Sequence, residues 1–477
     1  MKDYTDYDGL GLAELVRNGD VTAVELLDEA MSRAEKAQPK LNCFANLFPE
    51  IARNQITAGL PDAPFAGVPF PTKDLLVEIE GAPLTQGSRA WRDNVATRDS
   101  EITKRYRAAG LTLFGATTSP EFGLTTTTES VLFGPTRNPW DTSRTSGGSS
   151  GGASAAVAAG VVPVAQASDG GGSIRIPAAC CGLFGMKPSR GRTPMGPGTT
   201  EGWNGQSCTH VISRSVRDSA ALLDLTHGPE VGSRYVAAAP DGSFASALEK
   251  DPKPLRVALW SIAPNGTQPD DDAQAGLDAT RKLLEDLGHF VEEAGPNLDG
   301  AALSKGLPMT VAAAMAMIKT SREAELGRAI GPDDFEPVTL RLAELGETVP
   351  MAELMRANQA AINAGIDFDR FMTEGRYDVI LAPTLARKPD PLGILGLSPE
   401  NMKANGEAVA SFAPWCAVFN QTGAPAMSVP LHWTDDGVPL GMMFGARCGE
   451  ERLLCTLAGQ LERAEPWANK RPPIFFD

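Results

Sequence analysis

A serine at the end of a glycine turn is the first feature of this sequence that could carry out chemistry. Residues 161–167 are mostly apolar and predict a buried strand, and a glycine turn at residues 170–172 leads from it to Ser173. Consecutive glycines leave backbone N–H groups free to stabilise the charge that develops on a carbonyl oxygen under attack. The pattern predicts a nucleophile beside an oxyanion hole, although a tight turn with an incidental serine explains the same residues.

A serine hydroxyl needs a base, and the chain offers two kinds. A Ser-His-Asp triad stays open on residue count alone, but none of the histidines lies in a recognisable motif: His210, His227, His289 and His432. Lys73 is the other candidate because it lies in an apolar, proline-containing extended segment at residues 65–76, where burial lowers a lysine pKa. The alternative interpretation is a structural lysine paired with Asp74.

A run of small residues lies between these two candidates. Residues 145–154 read TSGGSSGGAS, with Ser149 near the centre. A flexible linker has the same composition, but the flanking segments are apolar and strand-like. Neither a GxxxxGK[ST] phosphate loop nor a GxGxxG dinucleotide turn occurs here, which disfavours a nucleotide site.

Three separated motifs, taken in order, resemble those of the amidase signature family. They are GVPFPTKD at residues 67–74, GGSSGG at residues 147–152 and the segment at residues 169–182. Ser149 and Ser173 are 24 positions apart, which is the spacing between the two catalytic serines of this family. The resemblance extends over nearly the whole chain, through residues 120–123, 136–140, 185–188, 213–218, 382–384 and 422–426.

The resemblance implies a role for each matching residue. Lys73 is the base, Ser149 relays protons and Ser173 is the nucleophile, with a cis peptide bond before Ser149. The implied oxyanion hole consists of the N–H groups of Gly170, Gly171, Gly172 and Ser173. This chemistry needs no metal, nucleotide or other cofactor.

The residues around the glycine turn predict how the site is supported. Many family members carry Thr or Ile at the position of Gly170, so this glycine suggests a wider acyl side of the site. Asp169 and Arg175 are interpreted as an ion pair that supports the hole rather than as catalytic residues. Substrate-binding residues stay unassigned, because the candidates suit a hydrophobic core as well as a pocket wall: Trp203, Trp415 and Met195.

Helices and strands alternate around these motifs and must position them. Two N-terminal helices are predicted within residues 12–36, and helix and strand patterns continue to alternate as far as residues 377–381. Such alternation favours the α/β class, and the resemblance implies an α/β/α sandwich around a large, mixed, twisted sheet. One large domain is expected over residues 1–477, with N-terminal helices at about 9–36, core motifs at 65–220 and a mainly helical covering or pocket region at about 266–375.

Composition narrows the classes of partner. The formal net charge of −16 opposes binding to nucleic acid or to an anionic membrane. The longest apolar stretch, near residues 153–167, is too short and too rich in Gly and Ala to span a bilayer, and the first residues lack the apolar stretch of a signal peptide. Seven scattered cysteines form neither a disulfide framework nor a zinc motif. A cytoplasmic protein is expected.

The resemblance implies hydrolysis of carbon–nitrogen amide bonds. A weaker likeness, at residues 134–198 and 461–467, is to bacterial amidases of xenobiotic amides, such as nylon-oligomer hydrolases and aryl acylamidases. The expected substrates are small and fairly apolar: anilides, linear or cyclic oligoamides, esters and carbamates (urethanes). The alternatives are the glutamine-hydrolysing subunit of a tRNA-dependent amidotransferase and a non-catalytic binding protein on the same scaffold. A homodimer is compatible with the sequence.

Overall fold

Two of the three β-sheets in the described residues form the framework of the molecule, and the third is a single two-stranded pair. The computed structural model describes residues 3–396 and 402–476. Within them the strands are β1 Phe44–Leu47, β2 Pro69–Lys73, β3 Thr112–Thr117, β4 Glu129–Ser130, β5 Gly134–Pro135, β6 Val164–Asp169, β7 Phe184–Lys187, β8 Cys208–Ser213, β9 Arg256–Leu259, β10 Phe290–Glu293, β11 Val379–Pro383, β12 Ala426–Trp433 and β13 Pro439–Gly445. The α-helices are α1 Gly9–Asn18, α2 Ala23–Leu41, α3 Pro49–Ala58, α4 Glu101–Ala108, α5 Gly151–Ala158, α6 Arg175–Cys181, α7 Val216–Thr226, α8 Asp271–Asp286, α9 Gly300–Leu326, α10 Pro337–Thr348, α11 Met351–Glu374, α12 Met402–Phe412, α13 Cys416–Thr422 and α14 Glu451–Ala464.

The larger sheet has eight strands in the order β10-β9-β11-β13-β12-β7-β8-β6. The pairs β10–β9 and β9–β11 are parallel, and the remaining pairs are antiparallel. Helices α5 and α6 pack on each other and against its strands. Helices α7, α8 and α14 also pack against its strands. The predicted α/β class, with an α/β/α sandwich around a large mixed sheet in one domain, is confirmed.

The smaller sheet was not predicted. It has the strand order β1-β3-β2 and ends on Lys73, the last residue of β2. Strand β2 packs against β6 of the larger sheet but does not pair with it. The two strands are linked by one hydrogen bond from the Lys73 N–H to the Gln166 side-chain oxygen at 2.7 Å. The candidate base and the candidate nucleophile therefore belong to different sheets that meet side by side.

The Gly/Ser run is buried structure and not a linker. All eight residues of α5 are buried, and the helix starts directly after Ser150. A Cβ atom at Gly152 would lie 2.4 Å from the Thr118 nitrogen, and one at Gly151 would lie 2.4 Å from the Thr128 hydroxyl. Small residues are therefore required where α5 packs against the loops that hold Ser149.

Helices α10 and α11 both pack on α9, and the three helices form a cover beside the sheets. By length and composition alone, α9 is the one helix of the described residues apolar enough to cross a membrane, a property that core helices of globular proteins share. The helices approach closely, because a Cβ atom at Gly346 would lie 2.0 Å from the Ala312 carbonyl oxygen.

Glu121, which is buried, and Glu336, which is partly buried, attach the cover to the loop after β3, and we call this pair the acidic junction. The Glu121 carboxylate accepts hydrogen bonds from the Ser88 hydroxyl at 2.6 Å, the Glu336 N–H at 2.8 Å and the Thr339 hydroxyl at 2.5 Å. The Glu336 carboxylate accepts one from the Val131 N–H at 2.7 Å. Burial and the neighbouring Glu121 raise the pKa of Glu336 to about 7.

Candidate active site

Lys73 lies fully buried at the junction of the two sheets. Its Nζ donates to the Ser149 hydroxyl at 2.7 Å and to the Ser168 hydroxyl at 3.1 Å. Burial lowers the pKa of Lys73 to about 7, and the negative charge of Asp169 opposes this only in part. The amine is therefore available as a neutral base near neutral pH, as a proton acceptor must be.

The interpretation of Lys73 as a partner of Asp74 is wrong. Asp74 instead accepts hydrogen bonds from the Thr85 N–H at 2.7 Å, from the Thr85 hydroxyl and from the Gly87 N–H at 3.2 Å. Burial raises the pKa of Asp74 to about 6 in spite of these donors. Its carboxylate thus supports the loop after β2, and no acidic side chain among the described residues forms an ion pair with the lysine amine.

Ser149 is held by close backbone packing. The Gly148–Ser149 peptide bond is cis, as the resemblance implied. Gly123 lies beside the hydroxyl, since a Cβ atom there would be 2.9 Å from Ser149 Oγ. These neighbours place the Ser149 hydroxyl between the lysine and the cavity that Ser173 also lines.

The glycine turn presents Ser173, which is only partly buried, to two cavities. One of the four N–H groups of the predicted oxyanion hole is already used, because Gly172 donates to Asp169 Oδ1 at 2.7 Å. Among the described residues, no acceptor is found for the N–H groups of Gly170, Gly171 and Ser173. The hole suggested by the geometry is therefore a set of three amides, and Gly172 serves the turn itself.

An ion pair with no exposed side-chain surface holds this turn. Arg175 lies 3.0 Å from Asp169, as predicted, and lowers the pKa of that carboxyl well below its usual range against the opposing effect of burial. Asn420 on α13, which the sequence analysis missed, donates to the Asp169 carboxylate at 2.9 Å and to its backbone oxygen at 3.0 Å. The turn is therefore fixed to both α6 and α13.

Strand β6 supplies two more contacts that the sequence analysis missed. Gln166 and Ser168 both reach Lys73, one at its backbone N–H and the other at its amine. Alternate residues of a strand share a face. The spacing of these two polar residues in an otherwise apolar strand leading to Ser173 was a signal that could have revealed them.

No histidine lines either cavity at Ser173 within the described residues. His210 is buried against the Ser219 hydroxyl at 2.9 Å, and His289 contacts Gln460 at the same distance. The geometry therefore gives no support to a histidine base for this serine. No group of three or more His, Cys, Asp or Glu side chains that could hold a metal ion occurs in residues 3–396 and 402–476.

Two cavities share three lining residues, Gly123, Ser173 and Trp203. The first, of about 440 Å³, is the aliphatic cavity, and its apolar wall comes mainly from Leu303, Leu307, Val311, Val338, Leu342 and Val418. The second, of about 660 Å³, is the methionine cavity, and its wall includes Ser149, Ser168, Met315, Met317 and Met355. The cover contributes to both cavities.

The three residues considered as candidates for the pocket wall have different environments. Trp203 lines both cavities, whereas Trp415 is fully buried in the core and Met195 lines neither cavity. The expectation of a wider site at Gly170 was wrong. A Cβ atom at Gly170 would lie 2.6 Å from two ring carbons of Trp203, so the indole fills the space that a larger residue would take.

The fold and the site together place this protein among the amide-hydrolysing enzymes. Its sequence matches the Amidase family over residues 25–455, and the chain belongs to that family.

The relatives include enzymes with named substrates. The chain is 37% identical over 474 residues to a putative amidase, AmiC, of Mycobacterium bovis, and the match covers 98% of this chain and 96% of the relative. A structure of 6-aminohexanoate cyclic dimer hydrolase complexed with substrate superposes with a TM-score of 0.94 at 32% identity, over 99% of this chain and 100% of that one. A bacterial aryl acylamidase of the amidase signature family superposes with a TM-score of 0.87 at 26% identity, over 97% of both chains.

Proposed function

We propose that this protein hydrolyses the amide bonds of small, fairly apolar substrates through an acyl-enzyme on Ser173. The observation that carries the proposal is the buried 2.7 Å contact between Lys73 Nζ and Ser149 Oγ, beside the cavity that Ser173 lines. The substrates are anilides and linear or cyclic oligoamides. Esters and carbamates (urethanes) also qualify, because their carbonyls present the same atoms to the site. No cofactor is required.

Acylation begins with proton transfer away from Ser173. The Lys73 amine takes the proton of Ser149 while Ser149 takes the proton of Ser173, and Ser173 Oγ bonds to the substrate carbonyl carbon. The carbonyl electron pair moves to oxygen, where the N–H groups of Gly170, Gly171 and Ser173 stabilise the charge. The relay needs the two serine hydroxyls in contact, and catalytic hydrogen bonds often tighten only when substrate binds.

Collapse of this intermediate breaks the carbon–nitrogen bond. The proton held by Lys73 returns through Ser149 to the leaving nitrogen, and the amine departs. Water then loses a proton to the same relay and attacks the acyl-enzyme, which releases a carboxylic acid and restores Ser173. Each proton taken up in acylation is thus given back before the next turnover.

The cavity walls support the choice of substrate. No charged side chain lines the aliphatic cavity within the described residues. In the methionine cavity, Glu201 and Arg234 pair with each other at 2.7 Å, and Asp169 is paired with Arg175. Apolar groups on either side of the carbonyl therefore suit the site better than the charged backbone groups of free glutamine.

The test is hydrolysis of a 4-nitroanilide, a 4-nitrophenyl ester, an aryl carbamate and glutamine, without partners. Wild-type protein is expected to cleave the anilide, and Ser173→Ala is expected to lose this activity. Ser304→Ala is the matched control, because Ser304 lines the aliphatic cavity outside the proposed relay. Activity on glutamine alone would favour the amidotransferase subunit, and anilide cleavage that survives Ser173→Ala would disprove the acyl-enzyme.

A further inference from the structure

Trp203 and Gly170 form a contact that has no role in the proposed proton relay. Of the three glycines in the turn, only Gly170 lies against this ring, since a Cβ atom at Gly171 would meet nothing closer than Leu307 at 3.5 Å. Gly170 is also one of the three amides that face the substrate carbonyl in the proposed mechanism. The indole therefore lies directly against the turn proposed to bind the carbonyl.

The backbone holds this ring in an unusual position. Trp203, Asn204 and Gly205 have φ values of 49°, 57° and 77°, and the left-handed region costs a bulky residue about 1 kcal/mol or more. Hydrogen bonds fix the loop on two sides: Asn204 donates to Asn358 of α11 at 2.6 Å, and Arg190 donates to the Gly205 oxygen at 2.6 Å. The loop thus ties the indole to the cover.

We propose that Trp203 is a specificity-determining residue: its ring, seated on Gly170, separates the aliphatic cavity from the methionine cavity and limits branching next to the substrate carbonyl. This inference rests on the proposed function. The favoured substrate is unbranched beside the carbonyl and extends one apolar arm into each cavity, with the carbonyl at Ser173. A substrate branched at the α-carbon meets the indole.

The first test compares the 4-nitroanilides of acetic acid and of 2,2-dimethylpropanoic acid. In Trp203→Ala the ratio of kcat/KM, branched over unbranched, is expected to rise about tenfold or more, because a few buried methyl groups discriminate to that extent. Trp203→Phe, which keeps an aromatic ring, is expected to give a smaller rise in the same ratio and carries the test if Trp203→Ala does not fold.

The second test is a double-mutant cycle between the two residues. Gly170→Ala is expected to lower kcat/KM for the unbranched anilide about tenfold in the wild-type background and by less than about threefold in Trp203→Ala. Equal losses in the two backgrounds would show that the contact with Trp203 is not the reason why position 170 requires glycine.

Trp91→Ala is the matched control. Trp91 packs in the same hydrophobic cluster, 5.4 Å from the Phe122 ring, but lines neither cavity. Its loss is expected to lower Tm without changing the substrate ratio, and an equal change in ratio would overturn the proposal. An unchanged ratio in Trp203→Ala, with activity still dependent on Ser173, would also overturn it. Activity that survives Ser173→Ala would instead reject the proposed function.

Discussion

At Lys73, burial acts on stability and on chemistry through the same amino group. The lysine pKa falls from 10.5 to about 7, so at pH values below 7 the folded state bears a penalty of about 5 kcal/mol for holding this amine. The penalty shrinks as pH rises from 7 to 10.5, because the unfolded chain then loses the proton too. The same burial leaves the amine of the proposed base deprotonated near neutral pH.

The first prediction concerns that penalty. Lys73→Met is expected to be inactive and yet more resistant to urea, with a gain in unfolding free energy that is largest below pH 7 and absent above about pH 10.5. Lys187→Met is the control, since Lys187 is also fully buried but lines neither cavity. It should retain activity. Equal or lower stability of Lys73→Met at pH 6 would contradict the account.

The second prediction concerns the pH profile. kcat/KM for the anilide is expected to rise through pH 7, because only the neutral form of Lys73 accepts a proton. Asp74, with a pKa of about 6, is the nearby group that could imitate this titration. The profile of Asp74→Asn should keep its rise near pH 7, and a flat profile from about pH 5 to 9 in wild type would remove Lys73 as the base.

The turn between β6 and α6 depends on one ion pair at its centre. Removing one partner of a buried pair leaves the other charge uncompensated and costs about 3–5 kcal/mol. Because Asp169 also accepts hydrogen bonds from the Gly172 and Ile174 N–H groups, loss of Arg175 should disturb the turn that carries Ser173 as well as the core.

The third prediction separates those two effects. Arg175→Met is expected to lower both Tm and the kcat of the remaining folded protein. The control is Arg192→Met, because Arg192 forms a comparably buried ion pair with Glu451 at 2.9 Å and lines neither cavity. It should lose stability while its kcat stays near wild type. Equal loss of kcat in both variants would show that the Asp169 pair has no special role in the turn.

The fourth prediction concerns the cover. The folded-state pKa of Glu336 is raised from 4.5 to about 7, so its contribution to stability is complete below pH 4.5 and is lost as pH rises through 7. Glu336→Gln keeps an oxygen for the Val131 N–H and removes the charge. It should raise Tm above pH 7 and leave it unchanged at pH 4.5, whereas Glu344→Gln on the exposed face of α10 should change neither. A higher Tm for Glu336→Gln at both pH values would refute this assignment.

The fifth prediction concerns the molecule as a whole. Of the seven cysteines in the sequence, six are buried and Cys448 is exposed. A thiol reagent should therefore modify one cysteine rapidly in the native protein and seven after unfolding, as counted by mass spectrometry. Cys448→Ser should abolish the rapid reaction, and fast modification of several thiols in the native state would show that the core is more open than described.

Local patterns indicated Ser173 and Lys73 as candidates, while the role of Ser149 came from the resemblance between the three motifs and those of a known family. The alternation of helices and strands indicated the α/β class.

Contacts between distant segments could not be read from the chain. Asn420 and Trp203 reach the turn from loops and helices far along the sequence, and no periodicity indicates such a meeting. The separate three-stranded sheet was missed for a similar reason, because a buried apolar strand fits equally well in either sheet. At position 170 the sequence showed only that glycine replaces the Thr or Ile of many family members. The close approach of the Trp203 ring, seen in the structure, explains the glycine.

The acidic junction between Glu121 and Glu336 also bears on how the enzyme can be used. The rise in pH that frees the Lys73 amine is the same rise that charges Glu336 and weakens the attachment of the cover. Between about pH 5 and 7, faster turnover and a weaker attachment of the cover should therefore arrive together, whereas above pH 7 the shrinking Lys73 penalty should raise heat resistance again. The combined effect of these two groups should make heat resistance lowest near pH 7, so long incubations would be best run above it, where the Lys73 amine is neutral and its penalty is falling.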